Sequence, residues 1–357
     1  MDSWARRNTW ELLLAGILAA VVIFDITQST GYLSVDNFVN LFQLHIEKMI
    51  VVIPMTLVII AGEIDLSVAS VMGWSAAVLA TVHEHGAGFA WAIPIALLAA
   101  AAAGLAHGWC VARLGLPSLV VTLAGLIGWR GAARVLLEDR SVGGFPSWFD
   151  RLGQDKLVGP VPLAVIVFLV ILVAGWIILH YSAAGRWLFV IGDKADVARY
   201  SGIDVTRVRI ALFTASSLIA GVAGIFFAAR LGTVRGDLGT GFELEIITVV
   251  LLGGVSIFGG SGRMSGVVLA ILIVLNLRNG FGLANVGGNT QTGVIGAILI
   301  GSVLAQNLIE KVGNRSGGRI AAGMRAEPPT GGAVAIAGGA ESLAPTSQPT
   351  TPEGNDQ

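Results

Sequence analysis

Residues 56–68 read Thr56-Leu57-Val58-Ile59-Ile60-Ala61-Gly62-Glu63-Ile64-Asp65-Leu66-Ser67-Val68, two carboxylates set into an otherwise apolar stretch. The apolar character continues on both sides, over roughly 46 to 61 and 65 to 85. At mid-bilayer each carboxylate would cost about 2.5 to 3.5 kcal/mol on insertion scales. The pair therefore marks a helix break, an interface or a wet cavity. Asp65 ahead of Leu66-Ser67 also has the form of a helix N-cap, its carboxylate accepting the free backbone N–H groups of the next span. Glu63 has no such local use and is the better functional candidate.

The rest of the chain shows that these helices belong to a membrane protein. Of 357 residues, 54% are hydrophobic and only 13% charged, against roughly 25% charged in a soluble domain. The mean hydropathy of +0.78 is too high for a single anchor of about 20 residues to produce. Lipid offers no partner to an open backbone, so continuous apolar runs are helices, not barrel strands of about ten alternating residues. Such runs lie at roughly 11 to 29, 46 to 61, 65 to 85, 88 to 112, 117 to 137, 161 to 180, 210 to 229, 243 to 259, 264 to 283 and 291 to 309. The expectation is an all-α polytopic domain of about ten spans over 1 to 312. A Gly-, Ala- and Pro-rich tail, 313 to 357, buries too little to order itself and is expected to be disordered.

The first run follows Arg6 and Arg7 but has no small-residue cleavage pattern after Asp25, so it reads as a retained signal anchor. With ten spans and the N-terminus inside, 13 of the 22 lysines and arginines fall in inner segments and 5 in outer ones. That bias places both termini in the cytoplasm. The formal charge of −1 leaves no basic excess for nucleic acid. Cys110 is the only cysteine, which excludes an intrachain disulfide and a multi-cysteine metal site. His83-Glu84-His85 fits no standard zinc spacing, so no metal site is expected. No Gly-Lys dipeptide occurs, so the phosphate-cradling G-x-x-x-x-G-K-[ST] loop is missing. If ATP drives this protein, another chain binds it.

Three further features carry functional weight. The inner loop between 181 and 209 contains Gly192 and Gly202, which bracket about two turns of helix from Asp193 to Ser201. Asp196 and Arg199 form an i, i+3 pair there, and Asp193 falls in the first turn, where the helix dipole favours an anion. Such a short polar helix is shaped to dock on a partner, and on the residues alone it serves equally as a solvated connector. Second, Gly241-Phe242-Glu243-Leu244-Glu245 leads into 253–262, which holds five glycines, Gly253 and Gly254 among them. Glycines at that density permit close backbone approach or a broken helix. Gly62-Glu63 and Gly253-Gly254 both end apolar runs that cross in the same direction, a pattern that hints at a parallel internal repeat with interrupted helices along a pathway. Third, Arg130 and Arg134 share one face of the fifth span and turn toward protein, water or the interface, or snorkel.

Several of these stretches together resemble the membrane-spanning permease of a ribose-type bacterial ABC importer. Residues 61–68 resemble that family's G-G-I-D-L-S-V-G segment, and Pro117 to Leu123 with Arg130-Gly131 its P-x-F-I-x-T-L…R-G segment. Gly192 to Ile203 resembles G-G-N-x-x-A-A-R-x-S-G-I. Gly241 to Gly262 resembles G-x-x-E-L-x-x-I-A-A-V-V-L-G-G-x-S-x-x-G-G-x-G, and Asn279-Gly280 matches a later N-G. Asp193, Lys194 and Ala195 replace the family's Gly-Asn-Glu, while Glu63 and Ala69 stand where Gly is common. The wording of 63–70 is similar to rhamnose-type permeases. The resemblance implies an all-helical ten-span importer permease in the bacterial inner membrane, not an enzyme, which passes a monosaccharide inward by alternating access. Its implied partners are an ABC ATPase subunit that binds ATP and Mg, a periplasmic sugar-binding protein, and a second permease copy or a related permease. The ATPase would dock on Gly192, Asp196, Arg199, Ser201 and Gly202. The pathway or gate would involve Glu63, Asp65, Ser67, Glu243, Glu245, Gly253 and Gly254. A rival reading from the residues is a proton-coupled carrier with Glu63, Glu243 or Glu245 as relay.

Overall fold

The computed structural model describes residues 8–28, 31–154, 156–158, 161–298, 300, 301 and 304. The expected tail from 313 to 357, together with Arg6 and Arg7, lies outside the described residues. The helices are α1 (Thr9–Gln28), α2 (Val35–Gln43), α3 (Ile46–Ile60), α4 (Val68–Glu84), α5 (Phe89–Arg113), α6 (Ser118–Leu137), α7 (Ser147–Gln154), α8 (Leu163–Tyr181), α9 (Ala183–Asp193), α10 (Ala195–Tyr200), α11 (Val205–Leu231), α12 (Phe242–Leu252) and α13 (Met264–Leu283). A further helix begins at 288 and is described through 298. The long loop between 138 and 160 is not wholly helical. Short strands β1 (Val142–Gly143) and β4 (Thr233–Val234) pair antiparallel, as do β2 (Lys156–Val158) and β3 (Val161–Pro162).

A helix stands at each of the ten expected positions, but they are not ten equal spans. Six of the described helices (α1, α5, α6, α8, α11 and α13) are long and apolar enough to cross a membrane, or seven spans if the bent pair α2 and α3 is one. The difference lies chiefly in α3 and α12. With 15 and 11 residues, they extend about 22 and 17 Å at 1.5 Å per residue, short of a hydrocarbon core of about 30 Å.

These two short helices occupy the core. Every residue of α3 except Leu57 is buried, as are eight of the eleven in α12. A helix that is apolar all round belongs inside protein, whereas α6 and α8 turn Leu123, Ile127, Val135, Val170 and Val173 outward, as lipid contact requires. The glycine-rich composition supplies the close packing around the core. A Cβ on Gly104 of α5 would come within 2.5 Å of the Phe213 carbonyl oxygen of α11. Small residues of this kind let helix backbones touch where the hydrophobic effect cannot drive association.

Helices α3 and α12 run in the same direction and end alike. After α3 the N–H groups of Gly62 and Glu63 return to the carbonyls of Ile59 and Val58, with Gly62 at φ +77°. After α12 those of Gly254 and Val255 return to Leu251 and Val250, with Gly254 at φ +85°. Both are glycine-terminated turns that satisfy carbonyls left open at a helix C-terminus.

Candidate functional site

At one end of the molecule the two half-helices and the loop between 181 and 209 meet, backbone against backbone. The Gly260 N–H donates to the Ile60 carbonyl at 2.9 Å, so the turn after α12 satisfies an open carbonyl of α3. Gly192 lies against both: a Cβ there would overlap the Ile60 carbonyl oxygen and approach the Gly260 nitrogen to 2.5 Å. A Cβ on Gly259 would come within 2.6 Å of the Gly62 Cα. Three chain segments thus touch at a point where no side chain fits.

The loop between 181 and 209 differs from its expected form. Gly192 is not the bracket before a helix but lies in the last turn of α9, and Asp193 ends α9 instead of opening α10. The run 183–193 lacks the length of a span, which is why it read as loop. Ser182 caps α9 by accepting from the Gly185 N–H at 3.1 Å. Ile191, Ala198 and Val205 form a small apolar core of their own, joining α9, α10 and the start of α11. The pair Asp196–Arg199 forms as expected, at 3.1 Å and exposed. Ser201 bonds back to the Val197 carbonyl, and Gly202, at φ +81°, closes the helix. Tyr200 is 94% exposed, and Phe258 in the neighbouring turn 86%. This end therefore presents a pre-folded helix and two bare aromatic rings.

Glu63 is not free in a cavity. It pairs with Arg209 of α11 at 2.7 Å and is buried. Asp65 accepts from the Ser67 N–H (2.9 Å) and the Ser67 hydroxyl (2.5 Å), a local turn that takes the place of a direct side-chain cap on α4. The Ser67 hydroxyl also meets His107 Nδ1 at 3.1 Å, and the Trp129 indole N–H donates to His107 Nε2 at 3.0 Å. An indole N–H only donates, so Nδ1 carries the imidazole proton and the chain of bonds runs from Trp129 through His107 and Ser67 to Asp65.

Glu243 and Glu245 sit at the opposite end, in the first turn of α12. Glu245 takes Lys48 of α3 at 2.8 Å and the fork of Arg278 of α13 at 2.7 Å on each oxygen. Glu243 meets Arg130 at 3.3 Å, and Glu47 of α3 meets Arg230 at 2.6 Å. Arg130 therefore does not snorkel, since its guanidinium turns into the protein. Gly253 packs on the Val267 backbone and Gly254 on the Trp10 indole. The residues 83–85 find separate partners: His83 packs at a tilt against Phe89, Glu84 pairs with Arg140, and His85 bonds the Thr81 carbonyl. Among the described residues no group of three or more potential ligands gathers as a metal site.

Sequence reading did not single out Arg209, Glu47, Lys48, Arg230, Arg278, His107 or Trp129 as partners. The signal available was the rarity of a charge inside an apolar run, which Lys48 and Arg278 both show.

A polytopic helical bundle with interrupted core helices and a short, largely exposed helix beside them fits a membrane permease. The family model described as "Branched-chain amino acid transport system / permease component" matches residues 37–303, and the chain belongs to that family. It is a transport subunit of the ABC kind and not an enzyme. It is 32% identical to the "Autoinducer 2 import system permease protein LsrD" of Yersinia pseudotuberculosis serotype O:3 (strain YPIII) over 310 residues, 85% of this chain and 92% of that one. The protein of the same name from Yersinia pestis (strain Pestoides F) is 31% identical with the same coverage. No solved structure matches the chain. A permease of this family works in general with an ATPase and a binding protein.

Proposed function

We propose that this chain carries a small hydroxyl-rich solute across the bacterial inner membrane, driven by an ATPase that docks on α10. The solute is a monosaccharide of the ribose or rhamnose type, or autoinducer 2 as in the printed name of the Yersinia relatives. The observation that carries this reading is the junction at Gly192. A partner that pushes on α10 moves α9 through their shared apolar core, and Gly192 passes that displacement to the ends of both half-helices. Transport then follows from differential binding of the ATPase to two arrangements of the bundle. On this reading the junction faces the cytoplasm, both termini lie inside, and the shorter helices complete about ten crossings. A second permease copy or a related permease and a periplasmic sugar-binding protein complete the importer, and ATP and Mg are held by the ATPase.

Asp65 and Ser67 hold the linker between α3 and α4, Glu63 fixes that linker to α11, and Glu243 and Glu245 anchor α12. The test is gentle-detergent purification from native membranes, with mass spectrometry of whatever accompanies the chain. The expected companion is an ATPase carrying a phosphate-binding loop, stimulated by a binding protein with its sugar. Arg199→Glu is expected to abolish that stimulation while the chain stays folded. Recovery of the chain alone, with sugar uptake in liposomes that collapses with a protonophore, would overturn the reading.

A further inference from the structure

A half-open cavity of about 290 Å³ lies between α2, the turn into α3 and the last turns of α13. Asn37, Asn40, His45, Arg278 and Asn279 line it together with leucines. This is the end opposite the Gly192 junction, since α3 begins beside the cavity and ends at the junction. Five polar side chains converging at one point in so apolar a chain call for an occupant.

The hydrogen-bonding capacity left over describes that occupant. Asn279 Nδ2 is buried and has no hydrogen-bond partner, an arrangement that costs about 1 to 3 kcal/mol unless something accepts from it. Asn37 spends its amide N–H on the Tyr32 carbonyl at 2.9 Å, which leaves its side-chain oxygen as an acceptor. Arg278 commits Nε and Nη2 to Glu245, leaving Nη1 as a donor. Asn40 and His45 each offer both roles. Donors and acceptors alternating around a small space suit hydroxyl groups, which do both. Glu245 is shared between Lys48 and Arg278, so one positive charge is left beside the cavity and the free Nη1 donates with that charge behind it. The volume stands at the lower end of the range for small-molecule sites, about 300 to 1,000 Å³, enough for one small molecule and too little for a peptide.

We infer that this cavity is a binding site for a polyhydroxylated solute of monosaccharide size, with Asn279, Asn37 and Asn40 as the contact residues. Its place as the entry point for transported solute rests on the function proposed above. Binding itself does not.

The experiment uses the full chain in nanodiscs with Cys110→Ser and a reporter, Leu44→Cys, at the cavity rim, labelled by a water-soluble maleimide. Millimolar D-ribose or L-rhamnose is expected to slow labelling about threefold at a concentration twice the dissociation constant. Asn279→Ala and, separately, Asn40→Ala are expected to remove the protection. Absence of slowing by either sugar, or protection untouched by both substitutions, overturns the site. ATP-driven uptake by the assembled importer is measured alongside. Protection without uptake leaves the site and removes the transport reading, while uptake of a sugar that gives no protection does the reverse.

Discussion

The two ends of the core are held by opposite means. At the far end α3 and α12 are tied by ions, with Glu245 shared between Lys48 and Arg278, while Glu47 ties α3 to Arg230 of α11. At the junction end the same two helices meet through glycine backbones at Gly62, Gly192, Gly259 and Gly260, with one hydrogen bond, Gly260 to Ile60, between them. Buried ion pairs resist separation because parting them strands a charge in an apolar interior. Backbone contacts through glycine carry no such penalty for sliding, yet they transmit any push because nothing soft lies between the surfaces. The far end is thus a clamp and the junction a joint.

Substitutions at the clamp sharpen this contrast most. Glu245→Ala strands Lys48 and Arg278 as buried like charges, and a loss of about 3 to 5 kcal/mol is expected, read as a lower unfolding midpoint in nanodiscs. Adding Lys48→Met to it should recover part of the loss, and no recovery would break the account of a shared carboxylate. A smaller effect is expected from Trp129→Phe, which removes one donor to His107 and leaves the ring packing in place. Its cost is about 1 kcal/mol, checked by the same melt. Smallest in stability is Tyr200→Ser with Phe258→Ser, exposed at the joint and expected to change stability by less than about 0.5 kcal/mol. The same double variant should nonetheless weaken capture of the ATPase in pull-down. Unchanged capture would show that this face is not the docking surface.

Much of this was legible in the chain itself. The long spans were, because an apolar run of twenty residues has one stable form in lipid, and so were the glycine breaks at 62 and 254. Hydropathy did not reveal that α3 is enclosed by protein, because lipid and protein interior are equally apolar to a side chain. Nor did periodicity give the rotation of α3, which is apolar on every face. The partners of the acids were hidden for another reason. Lys48 and Glu245 stand 197 residues apart, and Arg230 and Glu47 stand 183 apart, so only the folded core brings them together. The short helix α9 escaped notice because its 11 residues are too few for a span and its neighbours are polar.

The central claim is that force from the ATPase enters the bundle through Gly192. The direct measurement is solute taken up per ATP hydrolysed in proteoliposomes of the assembled importer, comparing wild type with Gly192→Ala isolated as folded complex. The account predicts that ATP hydrolysis persists while uptake per ATP falls steeply, because the added methyl group forces α9 away from Ile60 and Gly260. An unchanged ratio would contradict it and move the coupling elsewhere in the loop.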